Sequence, residues 1–177
     1  MVEVLQVAQL GNKILSSQAQ AINNIWDESL QRLINDLIVT VVATNGVGIA
    51  APQVSVGDRL FIVASRPNLR YPNAPIMEPT AMINPKLVSH SEEIVTGWEG
   101  CLSVPGIRGL VPRYRAIEIE YTSRVGQIER QELTDFVARI FQHEYDHLEG
   151  ILFLDRVETT KDLMTEDEYQ KQIVNQL

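Results

Sequence analysis

The stretch from Thr134 to Leu148, TDFVARIFQHEYDHL, limits this chain more than any other segment. Its apolar residues recur at helical period in two adjacent stripes. Phe136 and Ile140 continue the face that carries His143 and His147, while Val137, Phe141, Tyr145 and Leu148 run alongside. A helix apolar over this much of its girth is buried, so the rest of the chain has to wrap it. The same helix carries polar chemistry inward. His143-Glu144-Tyr145-Asp146-His147 sets two histidines four residues apart. An α-helix turns about 100° and rises about 1.5 Å per residue, which puts both imidazoles on one face, one turn apart. They can share a metal ion, and Glu144 then stands beside it. Low-dielectric surroundings raise a carboxyl pKa, which suits Glu144 to move protons near neutral pH. The pattern predicts a metal site fit for amide hydrolysis without naming the substrate. The alternative is a chance recurrence on a solvated helix, which three fixed residues in a chain this short make rare.

At 177 residues, with 45% hydrophobic and 21% charged side chains, the chain has room for one domain with a proper core and not two. Residues 1–177 read as a single domain, of which 155–177 form a short acidic tail. The net charge of −8 argues against a general nucleic-acid binder, and direct DNA binding is not expected. No segment approaches the roughly 18 apolar residues of a membrane span. The opening MVEVLQVAQLGNKIL has neither the pattern of a signal peptide nor the Arg- and Ser-rich composition of a transit peptide. Cys101 is the sole cysteine, so no intrachain disulfide forms, and its thiol is free to act as ligand or nucleophile. The chain reads as cytoplasmic.

The first dozen residues read as a short strand or extended arm. From Asp27 to about Thr44, Leu30, Leu33, Ile34, Leu37, Ile38, Val41 and Val42 form an amphipathic helical stripe, with Asp27 as N-cap and Asn45-Gly46 as the stop. Residues 59–64, 81–88 and 116–121 read as strands, and 65–80, with four prolines, as loop. The last helix closes at Gly150. Few crossover helices are available, so the expected class is α+β, with mostly antiparallel sheets packed around a buried C-terminal metal-binding helix.

A catalytic site of this kind needs a third protein ligand and one position open to water. No histidine follows His147, Glu149 falls on the wrong side of the helix, and His90 lies in a polar strand-like stretch as a surface residue. Asp155 and Glu158 are the downstream acidic candidates. Upstream, Glu99-Gly100-Cys101-Leu102-Ser103 places the thiol in a Gly-bearing segment that lets backbone come close to a ligand. A Cys101–His143–His147 set leaves a tetrahedral ion one open position. Gly46 to Gln53, GVGIAAPQ, adds small residues for close backbone packing and, in Gln53, an amide donor for an oxyanion. Alone, that segment reads as a tight post-helix turn with a surface glutamine.

Taken together, GVGIAAPQ, EGCLS and QHEYDH, in this order and at these separations, closely resemble the three signature segments of peptide deformylases. The likeness runs from the early helix through Val111-Pro112-Arg113 to Asp146–Gly150. Tyr145 departs from it, since the family generally carries a smaller aliphatic residue there. Lying away from the histidines, it implies altered packing and not lost chemistry. The resemblance implies a metal-dependent hydrolase that removes the formyl group from N-terminal formylmethionine of nascent polypeptides and releases formate. It implies Fe²⁺ as the ion, with Zn²⁺, Ni²⁺ or Co²⁺ able to substitute, and Leu102 as the backbone N–H that joins Gln53 at the oxyanion. Val47, Phe136 and Ile140 are candidates for the wall of the methionine pocket, with core packing an equal alternative for Ile140. The peptide backbone is expected to pair along Gly46–Gly48. Glu99 reads as structural, paired with Arg113. Some family members dock on the ribosome through a basic C-terminal helix. Six acids against three bases from Asp155 onward do not suit RNA phosphates, and the tail reads as a short surface helix or a disordered end. Two rivals stand beside this reading: a metallopeptidase cutting internal bonds, which lacks its downstream ligand here, and a zinc-stabilised peptide-binding domain, which would leave Glu144 without a purpose.

Overall fold

The computed structural model describes residues 2–68 and 71–174. Its first α-helix, α1 (Glu28–Ala43), begins where the side chain of Asp27 accepts the Ser29 N–H at 2.7 Å. Leu30, Ile34, Leu37 and Val41 are buried along it. The stripe is narrower than the sequence suggests, because Val42 is exposed. After α1 come β1 (Gly48–Ala50), β2 (Leu60–Val63), β3 (Thr80–His90), β4 (Ile94–Cys101), β5 (Val104–Tyr114), β6 (Ala116–Thr122) and β7 (Ile128–Thr134). They lead into α2 (Asp135–Leu148), and a short β8 (Leu163–Thr165) and α3 (Glu166–Gln172) follow. Every pairing between these strands is antiparallel. One sheet has the order β1-β2-β3-β6-β7 and the other β4-β5-β8. The class is α+β.

β2 explains how the core is split. Its four residues, Leu-Phe-Ile-Val, are all buried, as a strand covered on both faces requires. Successive side chains point to opposite faces. Leu60 and Ile62 join Leu30, Ile34, Leu37 and Val41 of α1, while Phe61 and Val63 join Ala138, Ile140, Phe141 and Leu148 of α2. Phe61 meets Phe141 edge to face, with ring centres 5.2 Å apart. Tyr145 stacks on Phe141 at 5.8 Å beneath the Arg59 guanidinium, on the side of α2 away from the histidine pair.

The β4–β5 hairpin was not apparent from the sequence. Gly97 and Gly100 weaken its strand signal, and both are there because arginines lie directly over the backbone. A Cβ on Gly97 would come within 3.0 Å of the Arg139 guanidinium, and one on Gly100 within 2.7 Å of that of Arg108. β7 was also hidden: among its residues only Leu133 is buried, so it is a polar edge strand without an apolar alternation. The N-terminal arm is extended and crosses toward the hairpin, with Ala8 N–H donating to the Gln53 carbonyl and Leu10 N–H to that of Ser103. Of the two forms expected for the tail, the structure has the short helix, α3, and holds it against the hairpin. β8 pairs with β5, and Tyr169 of α3 is buried against Trp98. Among the described residues no helix is long and apolar enough to cross a membrane.

Candidate metal centre

Among the described residues, one set of three metal-ligating side chains converges: Cys101 at the end of β4 with His143 and His147 of α2. Their ligand atoms all lie within 4.8 Å of one another, and His147 Nε2 is 3.3 Å from Cys101 Sγ. The helix supplies the two imidazoles, and the tight β4–β5 turn swings the thiol over them. A soft thiolate with two imidazoles is a donor set suited to divalent first-row metals. One buried atom beside the cluster, Glu144 Oε2, has no hydrogen-bond partner, which is what a site completed by a water leaves behind; His147 turns Nε2 to the thiol, and its unpartnered Nδ1 lies on the other side of the ring. The residues fit a metal.

His143 is aimed by the strand beneath it. Its Nδ1 meets Glu99 Oε2 at 2.9 Å, which makes Nδ1 the protonated nitrogen and leaves Nε2 to face the cluster. Glu99, almost fully buried, is itself gripped. Arg113 donates to both of its oxygens at 2.9 and 3.0 Å, and Arg139 donates to one at 2.8 Å. Arg113 reaches on to Asp146 on α2, which also accepts from Arg156 at 2.8 Å. This network ties β4, β5 and α2 together beside the Cys101–His143–His147 cluster. Burial works against the charge on Glu99, yet Arg113 and His143 outweigh it and hold the carboxyl well below its usual range. Glu99 is therefore paired with Arg113, as read from the sequence, and in addition orients a candidate ligand.

Without a cation, burial pulls the His143 pKa down, but hydrogen bonds to Cys101 and Glu99 prevail and keep it raised. Burial, together with the charge of His143, holds His147 well below its usual value. A cation held there would take the place of a proton on His143 Nε2 and leave the Nδ1 proton on Glu99. Burial also pushes Glu144 up to about 7; His143 opposes this and Glu99 reinforces it. The backbone at Gly48 lies against this carboxylate so closely that a Cβ there would collide with Oε1.

Gln53 is 2% exposed and so is not the surface residue that its segment alone suggests. Its Oε1 accepts the Ala50 N–H at 2.9 Å, which fixes the amide so that Nε2 points at Cys101 Sγ (3.4 Å) and Ser103 Oγ (3.2 Å). Leu102 occupies the hairpin turn. A cleft of about 540 Å³, counting its solvent-open space, is lined by Val47, Gly48, Gln53, Leu102, Phe136 and Ile140 and reaches Cys101, His143 and Glu144. That volume lies within the usual range for small-ligand sites. Asn45, Tyr71 and Arg139 also line it and were missed by the sequence reading. Arg139 had a usable signal, a charge set between Ala138 and Ile140 on an apolar helix. Tyr71, from the proline-rich loop, had none. His90 lies apart, exposed and stacked on Tyr114 with ring centres 3.7 Å away. Asp155 is engaged elsewhere, accepting the Leu152 N–H at 2.8 Å, and Glu149 pairs with Arg59 at 2.7 Å.

Comparison with known proteins agrees with this geometry. The polypeptide deformylase family pattern matches residues 4–162. A protein named peptide deformylase 2 from Nostoc sp. is 66% identical over 169 residues, covering 96% of this chain and 94% of the relative. The crystal structure of a class I type b peptide deformylase from Acinetobacter baumannii, with Met-Ala-Ser bound, superposes with a TM-score of 0.87 at 44% identity, covering 89% of this chain and all (100%) of that one. A peptide deformylase from Synechococcus elongatus in complex with actinonin gives a TM-score of 0.79 at 31% identity, over 95% of this chain and 85% of that one. With a pattern spanning most of the sequence and relatives this similar along nearly their whole length, the chain belongs to the polypeptide deformylase family.

Proposed function

We propose that this protein is a metal-dependent peptide deformylase, which hydrolyses the formyl amide of N-terminal formylmethionine on nascent polypeptides to give formate and a free amino terminus. The observation that carries the reading is the convergence of Cys101, His143 and His147 beside a buried carboxylate, Glu144, at the inner end of an apolar cleft. We assign the three as ligands of one divalent ion, with Fe²⁺ as the native metal and Zn²⁺, Ni²⁺ or Co²⁺ as substitutes. α2 is then the buried metal-binding helix, α1 the N-terminal amphipathic one, and the chain one catalytic domain. When bound, the ion polarises the formyl carbonyl and lowers the pKa of a water.

Glu144 takes the proton of the attacking water and returns it to the departing amine. Its desolvated setting and unpartnered Oε2 support that role. Gln53 Nε2, locked in orientation by the Ala50 N–H, donates to the developing oxyanion together with the Leu102 backbone N–H. Val47, Phe136 and Ile140 enclose the methionine side chain. β1 is the outermost strand of its sheet and Gly46–Gly48 line the cleft, so the substrate backbone adds as an extended strand there. The acidic chain, with its lone thiol, works in the cytoplasm, away from DNA, and does not dock on the ribosome through a basic helix.

Anaerobically prepared protein should hold one metal per chain and release formate from formyl-Met-Ala-Ser while leaving casein intact. Glu144→Gln should keep the metal and lose formate release. Cleavage of casein supports an internal peptidase instead, and unaltered turnover in Glu144→Gln removes the assigned base. In air the iron form should lose activity while nickel-loaded protein keeps it.

A further inference from the structure

The C-terminal tail reaches the wall of the cleft. β8 pairs with β5 so that Met164 stands opposite Arg108, and α3 begins one residue after the strand ends. Glu166, the first residue of α3, accepts from Arg108 through both oxygens, at 2.6 Å from Nε and 3.2 Å from a terminal nitrogen, and also accepts from Gln170 at 2.9 Å. The Arg108 side chain is 1% exposed. Its other terminal nitrogen donates to the Tyr71 hydroxyl at 3.0 Å, and its guanidinium carbon lies 4.9 Å from the ring centre of Tyr169 and 5.4 Å from that of Tyr71. Tyr71 packs on Phe136 with ring centres 4.9 Å apart, and both rings line the cleft. Direct contacts thus lead from the tail to the pocket: Glu166, Arg108, Tyr71, Phe136.

A guanidinium this deeply buried requires an anion, and Glu166 provides the carboxylate. Without it, Arg108 is drawn toward water and its hold on Tyr71 weakens. Tyr71 depends on that hold, because its other described hydrogen bonds stay within its own loop, to Asn68 and Ala74. The family pattern ends at residue 162, immediately before β8, so Glu166 lies outside the matched segment while its partner Arg108, with Tyr71 and Phe136, lies inside it.

We propose that Glu166 and Arg108 are positioning residues for the peptide cleft, so that the C-terminal tail, through them, holds Tyr71 and Phe136 as the wall against which the substrate binds. The identity of that substrate rests on the deformylase reading; the chain of contacts does not. Because the wall lies away from the reacting atoms, its loss should weaken binding and spare the chemical step. With formyl-Met-Ala-Ser, Glu166→Gln should raise KM by about fivefold or more and leave kcat within about twofold. Tyr71→Phe, which keeps the ring and removes only the hydroxyl, should raise KM similarly, and the double variant should rise no further than either single one. Unchanged KM, or effects that multiply in the double variant, overturns the proposal, and Tyr71→Phe alone carries the test should Glu166→Gln fail to fold. Independently of activity, ring-labelled tyrosine NMR, with Tyr71 assigned by its loss in Tyr71→Phe, should show the Tyr71 signals moved in Glu166→Gln. Signals that stay in place refute the coupling. A wild-type protein that releases no formate refutes the deformylase reading instead, and the NMR comparison still decides whether the tail positions Tyr71.

Discussion

Gly48 shows how closely the residues of this site are fitted. Its backbone occupies the space where any side chain would strike the Glu144 carboxylate. Gly48→Ala should therefore fold and bind metal but release formate about 10²-fold more slowly, since a displacement of about 1 Å at the reacting groups costs that much. Turnover at the wild-type rate would show that Glu144 has slack. Gln53 is held as firmly, with its oxygen on the Ala50 N–H and its nitrogen toward Cys101. Gln53→Ala should lower kcat by about 10²–10³-fold with little change in KM, which steady-state kinetics can separate. The two histidines and Glu144 were legible in the sequence because one helix sets their spacing. Cys101 could be reached only by asking which residue completes a ligand set. Arg139 showed itself only as a charge on an apolar helix, and Tyr71 gave no reason to be placed in the cleft until its loop folded over α2.

Elements announced themselves when their own residues decide their burial. α1 shows its stripe because one face meets β2, and β2 reads as a strand because both of its faces are covered. The β4–β5 hairpin stayed hidden because what stabilises it is not local. Its glycines make room for Arg108 and Arg139, and Arg113 crosses from β5 to Glu99 on β4 and Asp146 on α2. Replacing Arg113 by methionine keeps much of the volume but removes the buried guanidinium that bridges two buried carboxylates, leaving Glu99 to Arg139 and His143 and Asp146 to the more exposed Arg156. That change should cost about 3–5 kcal/mol in urea unfolding. A loss below about 1 kcal/mol would mean that Arg139 and Arg156 carry the network without it. The short helix of the acidic tail was expected, but its anchorage stayed hidden for the same reason. Its composition suggests a solvated end, whereas Glu166 and Tyr169 are held by Arg108, which lies far away in the sequence.

At the scale of the whole molecule, the proposed metal joins the β4–β5 hairpin to α2 and should act as a stabilising cross-link. A ligand that binds only the folded chain at 1,000 times its Kd adds about 4 kcal/mol. At about 2–4 °C per kcal/mol for a chain of this size, chelation should lower Tm by roughly 8–16 °C. Calorimetry before and after metal removal checks this, and an unchanged Tm would separate metal from fold. The central claim is that one sulfur and two imidazole nitrogens share a single ion next to Glu144. X-ray absorption on zinc-loaded protein tests it most directly. One sulfur at about 2.3 Å and two nitrogens at about 2.0–2.1 Å are predicted, with the sulfur shell lost in Cys101→Ser. A shell of oxygen and nitrogen alone in the wild type, unaltered by that substitution, would contradict it.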